Sequence, residues 1–200
     1  MQNGTRLDKP VKTPPPYAIA SAHSQSRVSV LRAAALPHLR TLVDVLGETA
    51  NLAIRTGDTV RFIASVESQQ ALRVSSREGM AFPAHRTTAG LLLLAELPES
   101  ELDAIYAARR YQDRPADRPD LASLRAELLR IRRQGFAVNR ERSERGVVAI
   151  GVAVRGADGT AQAGLAVSIP SVRYHPDHLQ QLVAALQSAA RRLEADVAPA

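Results

Sequence analysis

Apolar residues recur at helical spacing near both ends of the chain. Within Val28–Leu46 the repeating positions are Leu31, Leu39, Leu42, Val43 and Leu46. This spacing predicts an amphipathic helix that ends before Gly47, and Pro37 predicts either two short helices or a kink. A final helix that opens at His175-Pro176 is predicted by the stripe Leu179, Leu182, Val183, Leu186 and Leu193.

Between these helices lie short segments of alternating or continuously apolar residues, which are typical of β-strands. The predicted strands are Thr49–Ile54, Val60–Val66, Ala71–Ser75, Phe136–Asn139, Gly146–Val154 and Ala161–Ile169. The turn Thr56-Gly57-Asp58-Thr59 joins the first two strands, and Gly156-Ala157-Asp158-Gly159 joins the last two. The sequence therefore predicts two antiparallel hairpins.

Three further helical segments lie between the two hairpins. The first is the apolar run Leu91–Ala95, and the second begins at Pro98. The third is capped by Asp120 and closed by Gly135, residue types that are favoured at the two ends of a helix. The resulting order is helix, strands, helices, strands and helix. It predicts an α+β fold in which helices pack on an antiparallel sheet.

The positive charge of the chain is concentrated at its N-terminal end. The formal net charge is +6, and +5 of it falls in residues 1–40. The rest of the chain is close to neutral, so it lacks the basic face with which a domain binds phosphate backbones. Pro, Lys, Ser and Gln are frequent in residues 1–27. This composition predicts a flexible leader, followed by one domain over residues 28–200.

The composition also excludes several classes of function. The chain has no cysteine, which rules out disulfides, thiol nucleophiles and thiolate metal sites. No apolar run approaches the roughly 18–20 residues that a membrane span needs, and no secretory signal pattern is present. His175 and His178 lack a third metal ligand, and there is no nucleophile motif or acid–base pair. We therefore expect a cytoplasmic protein that is not an enzyme, holds no metal or cofactor, and does not contact a membrane.

The segment Gly79–Gly90 is the strongest candidate for a binding loop. It is bounded by glycines, contains Pro83, and leads into the Leu-rich helix. Such a loop can direct backbone N–H groups and small polar side chains into a cavity. His85 is either a donor to a ligand carboxylate or a histidine satisfied by the backbone. Thr87 and Thr88 either line the cavity or cap the helix.

Four separated segments follow one another in an order and spacing that is specific to one protein family. They are Leu31–Leu42 with Gly47–Ala53, Leu72–Gly79 leading into the binding loop, Ile131–Asn139, and Gly146–Val154 with Gly159 and Leu165–Pro170. Together they resemble the effector-binding domain of IclR-family transcriptional regulators. The resemblance implies a GAF-like fold around a small-molecule pocket. In that family the pocket senses a metabolite, often a carboxylic or aromatic acid, and controls DNA binding and oligomerisation.

The resemblance also implies which residues bind the ligand. They are Met80, Phe82, His85, Thr87, Thr88, Ala89, Asn139, Ala149, Ala166 and Ser168. Members that bind small polar acids resemble one another in having an acid in place of Asn139, a cysteine in place of Ala149, and serines at the last two positions. Because two of these four positions are alanine here, we expect a larger, more apolar or aromatic acid. Asn139 and Ser168 are either pocket residues or ordinary polar residues of the sheet.

From the resemblance we expect a small-molecule sensor that forms a homodimer or homotetramer. DNA contact is expected only through a winged helix-turn-helix domain absent from this chain, because the 30 residues before Leu31 carry no such pattern. The apolar stripe of the Val28–Leu46 helix is expected to mediate self-association. Two alternatives remain. One is a stand-alone dimerisation partner of a full-length homologue, with its pocket filled by side chains, and the other is a small enzyme on a GAF-like scaffold.

Overall fold

The computed structural model describes residues 22–198 of the chain. Up to residue 21, the predicted leader lies outside the described residues, and residues 22–27 form the start of a helix. The helices are α1 (Ala22–Leu46), α2 (Thr88–Ala95), α3 (Glu99–Ile105), α4 (Leu121–Gln134) and α5 (Leu179–Val197). The strands are β1 (Thr49–Thr56), β2 (Thr59–Val66), β3 (Ala81–Pro83), β4 (Ala137–Arg140), β5 (Val147–Arg155) and β6 (Ala161–Pro170).

These strands form one antiparallel sheet in the order β3-β2-β1-β6-β5-β4. The two predicted hairpins are β1–β2 and β5–β6. They lie side by side because β1 pairs with β6, with Ala50 opposite Val167. The predicted α+β, GAF-like antiparallel sheet is therefore confirmed, and it carries helices on both of its faces.

The helices divide the apolar core into two clusters. α1 and α5 pack on one face of the sheet, where Leu39, Leu165 and Leu186 are completely buried. The other cluster lies under α2, α3 and α4 and includes the buried side chains of Leu91 and Tyr106. Burial of each such leucine contributes about 1.5–3 kcal/mol. α2 lies directly against the sheet, and α4 packs on the outside of α2.

α1 continues without interruption through Pro37. The prediction of two short helices at this proline is therefore wrong. The hydrogen bond that Pro37 is unable to donate would run to the carbonyl of Ala33, four residues earlier. Both residues are exposed, so water satisfies that carbonyl and the helix continues.

The apolar stripe of α1 packs against other parts of the same chain. Leu31, Leu39, Leu42 and Val43 are all buried in the cluster that α1 shares with α5 and the sheet. This stripe is not available to a second copy, so the expectation that it mediates self-association is wrong. The exposed apolar side chains of α1 are instead Val30 and Val45, on its outer face.

The predicted strand Ala71–Ser75 is also absent, and the third strand of this half of the sheet is β3. The 71–75 segment is irregular and is bonded mainly by side chains. Thr49 Oγ1 donates to the carbonyl of Val74 at 2.6 Å, and Arg73 Nε donates to Glu67 at 3.0 Å. Only Val74 of this segment is buried, so its apolar pattern does not reflect a sheet face.

The ends of α4 agree with the sequence. The carboxylate of Asp120 accepts a hydrogen bond from the backbone N–H of Ser123 at 3.0 Å, as an N-cap does. Gly135 ends the helix with φ of 77°, a conformation that favours glycine. The last helix, α5, begins at Leu179, after a short 3-10 turn over Pro176–His178.

Candidate functional site

The first turn of α2 lies unusually close to the sheet. A Cβ atom built on Gly164 of β6 would come within 2.6 Å of the Ala89 Cα, and one on Gly151 of β5 within 3.0 Å of the Thr88 Cγ2. At Gly90, a Cβ would overlap the carbonyl group of Ala84. Gly151 and Gly164 therefore allow the start of the helix to rest on the backbone of β5 and β6, and Gly90 allows it to pack against the turn at Ala84.

Thr87 fixes the point at which α2 begins. Its hydroxyl oxygen accepts a hydrogen bond from the Gly90 N–H at 3.0 Å, and the same hydroxyl donates to the Ala84 carbonyl at 3.3 Å. The side chain is buried, so this cap is shielded from water. The exposed N–H groups of a first helical turn carry partial positive charge, which favours an anion nearby.

A small cavity lies where this first turn meets β1, β5 and β6. We call it the inner cavity. Its lining residues are Asn51, Phe62, Arg77, Thr87, Thr88, Ala89, Ser143, Ala149, Gly164, Ala166 and Ser168. Its volume is about 20 Å³, enough for one water molecule. The inner cavity therefore adjoins the end of the Gly79–Gly90 loop, and its lining combines apolar side chains with a few buried polar ones.

A chain of hydrogen-bonded polar side chains runs from the half-buried Ser65 to Asn51 and Ser168, which are buried and line the inner cavity. Ser65 Oγ donates to Asn51 Oδ1 at 2.8 Å, and the amide nitrogen of Asn51 donates to Ser168 Oγ at 3.3 Å. On the opposite side, Thr88 Oγ1 lies 3.4 Å from the carbonyl oxygen of Ala149. These groups offer hydrogen bonds to a polar ligand in a setting with little water.

Arg77 brings a positive charge to the edge of the cavity. Its side chain is only 7% exposed, and it forms an ion pair with Glu144, whose side chain is 55% exposed. The guanidinium carbon lies 5.5 Å from the centre of the Phe82 ring, a cation–π contact that orients the arginine. The sequence reasoning missed Arg77 because its partner is 67 residues away along the chain.

A second, open space adjoins the inner cavity, and Arg77 lines both. We call it the outer groove. Its volume is about 320 Å³, and its lining residues are Leu72, Arg73, Val74, Ser75, Ser76, Arg77, Met80, Phe82, Glu144, Gly146, Val147 and Pro170. The outer groove is large enough for an organic acid of moderate size and leads from solvent to the Arg77–Glu144 pair.

The structure brings eight of the ten predicted site residues to these two spaces. Thr87, Thr88, Ala89, Ala149, Ala166 and Ser168 line the inner cavity. Met80 and Phe82 line the outer groove. His85 and Asn139 line neither space. Besides Arg77, the sequence reasoning missed the inner-cavity residues Asn51, Phe62, Ser143 and Gly164.

Asn139 and His85 lie beside the two spaces, and the buried His85 Nδ1 has no hydrogen-bond partner among the described residues. The Asn139 amide donates to the Arg86 carbonyl at 2.6 Å, and its oxygen accepts from the Arg142 N–H at 3.0 Å. The His85 ring packs edge-on against Tyr106, with 5.8 Å between ring centres. Burial, and then the charges of Arg86 and Arg142, lower the pKa of His85, so the ring is neutral near pH 7.

Within residues 22–198, no three histidine, aspartate or glutamate side chains come together in a way that would hold a metal ion. Among the helices of the same residues, none combines the length and apolar character needed to cross a bilayer.

Comparison with known proteins identifies the fold. Residues 23–195 match the family described as "Bacterial transcriptional regulator IclR C-terminal". The chain is 34% identical over 180 residues to the probable transcriptional regulator SauR of Cupriavidus necator, covering 87% of this chain and 71% of that protein. It is 31% identical to the HTH-type transcriptional regulator KdgR of Escherichia coli, covering 88% of this chain and 67% of that protein.

Solved structures give the same result. The C-terminal domain of E. coli KdgR superposes with a TM-score of 0.71 and 28% identity, covering 84% of this chain and 98% of that domain. IclR of Thermotoga maritima superposes with a TM-score of 0.74 and 26% identity, covering 88% of this chain and 73% of that one. The chain therefore belongs to the IclR family of bacterial transcriptional regulators and carries the family's C-terminal effector-binding domain.

Proposed function

We propose that this chain senses an organic acid whose carboxylate binds Arg77 at the edge of the inner cavity. The observation that carries the proposal is the buried cation Arg77 at the edge of a space lined with neutral hydrogen-bonding groups. Such a space favours an anion over a neutral molecule, because a buried charge is stabilised by an opposite charge and by directed hydrogen bonds. The partial positive charge at the start of α2 also favours an anion over a neutral molecule.

The sizes of the two spaces limit the shape of the ligand. An aromatic ring requires far more room than the inner cavity offers. A compact acid such as pyruvate would extend from the inner cavity past Arg77. An aromatic acid would place its carboxylate there and its ring in the outer groove, against Met80 and Phe82. In both cases the carboxylate of the acid lies beside Arg77.

An ion pair links the site to α1. Arg32 of α1 is bonded to Glu78 at 2.6 Å, and Glu78 directly follows Arg77 in the chain. A ligand that moves the 77–80 segment would therefore act on α1 as well. We propose that ligand binding shifts the population between two arrangements of α1, because the ligand binds them with different affinity. In a longer regulator, α1 would transmit this shift to a helix-turn-helix DNA-binding domain.

We further propose that the protein acts in the cytoplasm as a homodimer or homotetramer, without enzymatic activity and without a cofactor. The support is its similarity to transcriptional regulators. The chain spans 66–71% of the length of three of them. Sedimentation velocity at micromolar concentration tests the assembly. A single monomeric species would contradict it.

Titration calorimetry tests the sensor function. The panel is glyoxylate, pyruvate, benzoate and 4-hydroxybenzoate, with pyruvamide and benzamide as uncharged counterparts. We expect at least one acid to bind and its amide to bind far more weakly. Ala166→Leu would fill the inner cavity and abolish binding. Ala104→Leu, a change of the same size at an exposed position of α3, serves as its control.

One observation favours the second candidate, a dimerisation partner of a full-length homologue. The inner cavity is nearly filled by side chains, as that function would predict. In this case none of the acids would bind, and the chain would form a heterodimer with the homologue. The enzyme alternative is tested on the same samples by NMR, because turnover would convert the bound acid into a product.

A further inference from the structure

A single ion pair separates the outer groove from the inner cavity. Arg77 lines both spaces, whereas Glu144 lines only the outer groove. Ser143, the residue before Glu144, lines the inner cavity. The loop between β4 and β5, residues 141–146, therefore lies across the passage between the two spaces, and the Arg77–Glu144 pair holds it there.

The two partners of this ion pair depend on each other unequally. Arg77 is almost completely buried, so leaving its guanidinium without an anion would be costly. More than half of the Glu144 side chain is exposed, so water readily solvates its carboxylate once it is released. Arg77 thus needs a carboxylate at this position, but the carboxylate need not come from Glu144.

We propose that the carboxylate of the effector replaces Glu144 on Arg77, and that this exchange releases the 141–146 loop. The inference rests on the proposed function, because it requires an acid to bind at Arg77. No covalent bond changes, and one carboxylate takes the place of another. The planar guanidinium is well suited to this exchange, because it binds any carboxylate through two parallel hydrogen bonds.

The ends of the loop limit how far it moves. The Glu141 N–H donates to the Val147 carbonyl at 2.9 Å, and the Gly146 carbonyl accepts from the Ser171 N–H at 2.8 Å. Arg142 is held to Glu127 of α4 by two hydrogen bonds of 2.7 and 3.1 Å. Between these anchors the Val147 N–H donates to the Glu144 carbonyl at 3.3 Å, and release would break this bond. The released part is therefore residues 143–145, which would move away from the cavity and widen the passage.

The test uses the whole chain, the same acid panel and two changes in the ion pair. Glu144→Gln removes the competing carboxylate, so the bound acids should bind about threefold to tenfold more tightly. Arg77→Gln removes the anion site, so binding should fall by about tenfold or more. Arg77→Lys keeps the charge but loses the paired hydrogen bonds, and it serves as the second variant if Arg77→Gln unfolds. Circular dichroism establishes that each variant is folded.

Two control variants change the net charge by the same amount as Glu144→Gln and Arg77→Gln but leave the passage intact. Glu141→Gln removes a carboxylate from the same loop. Arg125→Gln breaks the ion pair between Arg125 of α4 and Asp103 of α3, outside both spaces. Neither should change the affinity by more than about twofold.

Tryptic cleavage gives a readout that affinity alone does not provide. Cleavage after Arg145 should be faster in Glu144→Gln without ligand, and faster in the wild type when an acid is bound. Cleavage after Arg155, the last residue of β5, is the internal reference. Ligand binding usually protects a protein, so a faster cut at one loop distinguishes release from general stabilisation.

Three outcomes are distinct. Tighter binding in Glu144→Gln, weaker binding in Arg77→Gln and faster cleavage after Arg145 would support the exchange. Acids that bind the wild type and both variants equally would overturn the exchange and leave the sensor function intact. If neither the wild type nor Glu144→Gln binds any acid of the panel, both the exchange and the proposed function are wrong.

Discussion

Gly164 of β6 lies directly beneath Ala89 of α2, so closely that a Cβ on the glycine would come within 2.6 Å of the Ala89 Cα and its Cβ. The neighbouring atoms belong to the helix itself and are not the ends of flexible side chains. Gly164→Ala should therefore push α2 away from the sheet and lower the free energy of unfolding by about 1–3 kcal/mol. Urea denaturation at pH 7.5 measures this change.

Gly156→Ala is the matched control for this substitution. A Cβ on Gly156, in the turn between β5 and β6, would meet the end of the Gln162 side chain, which is able to rotate away. It would also lie 3.1 Å from a carboxylate oxygen of Asp158, which a shift of a few tenths of an ångström relieves. We expect a change within about 0.5 kcal/mol. Equal losses for the two alanine variants would show that the contact between Gly164 and Ala89 is not the cause.

A tyrosine hydroxyl ties the first hairpin to the segment after α3. Tyr111 donates a hydrogen bond of 2.8 Å to Asp58 Oδ2 in the β1–β2 turn. Burial and the adjacent Asp58 carboxylate raise the pKa of Tyr111, so the hydroxyl stays protonated and acts as the donor. Tyr111→Phe should cost about 1–3 kcal/mol of unfolding free energy, the range for hydrogen bonds to charged groups.

Tyr174→Phe provides the comparison. The Tyr174 hydroxyl is buried and has no hydrogen-bond partner among the described residues. Its removal should therefore leave stability unchanged or raise it slightly, because no bond is lost and an unsatisfied polar group disappears. Chemical denaturation of both variants decides the matter, and a larger loss for Tyr174→Phe than for Tyr111→Phe would contradict this account.

His85 should make the fold less stable as the pH falls below neutrality. Burial lowers the pKa of His85 in the folded chain below its ordinary value near 6.5. Below about pH 6.5 the unfolded chain takes up a proton that the folded chain resists, so stability falls until the folded pKa is passed. Between pH 7.5 and 5.5, the decrease in unfolding free energy that is caused by His85 should disappear in His85→Phe.

The measurement is the difference in unfolding free energy between the two pH values, in the wild type and in the variant. Phenylalanine keeps a ring against Tyr106, so the packing is largely retained. Glu67, Asp120 and Asp158 have pKa values lowered by hydrogen bonds, so they titrate at lower pH and do not contribute in this window. The same pH dependence in both proteins would rule out His85 as its source.

The sequence predicted the parts of the fold that depend on neighbouring residues. Asp120 and Gly135 mark the ends of α4 because a cap and a left-handed turn act within a few residues. Arg77 could not be predicted in the same way, because its importance depends on burial and on Glu144 in a distant loop. The strand expected at Ala71–Ser75 failed for a related reason. A strand needs a partner, and β2 pairs with β3 instead.

Thr87 and Thr88 stand next to each other but should differ in what their hydroxyls contribute. The Thr87 hydroxyl caps α2 through the Gly90 N–H at 3.0 Å, whereas Thr88 makes only a 3.4 Å contact with the Ala149 carbonyl. Thr87→Val should therefore cost about 1 kcal/mol, and Thr87→Ser should retain most of the cap. Thr88→Val keeps the methyl group that packs near Gly151 and should cost less.

Ligand affinity should show the opposite order, with the larger loss in Thr88→Val, because Thr88 contributes a hydroxyl that is not committed to the helix cap. Thermal unfolding of the three variants measures their stability, and titration calorimetry with the organic acids of the panel measures their ligand affinity. Equal stability losses for Thr87→Val and Thr88→Val would show that the cap does not fix the start of α2.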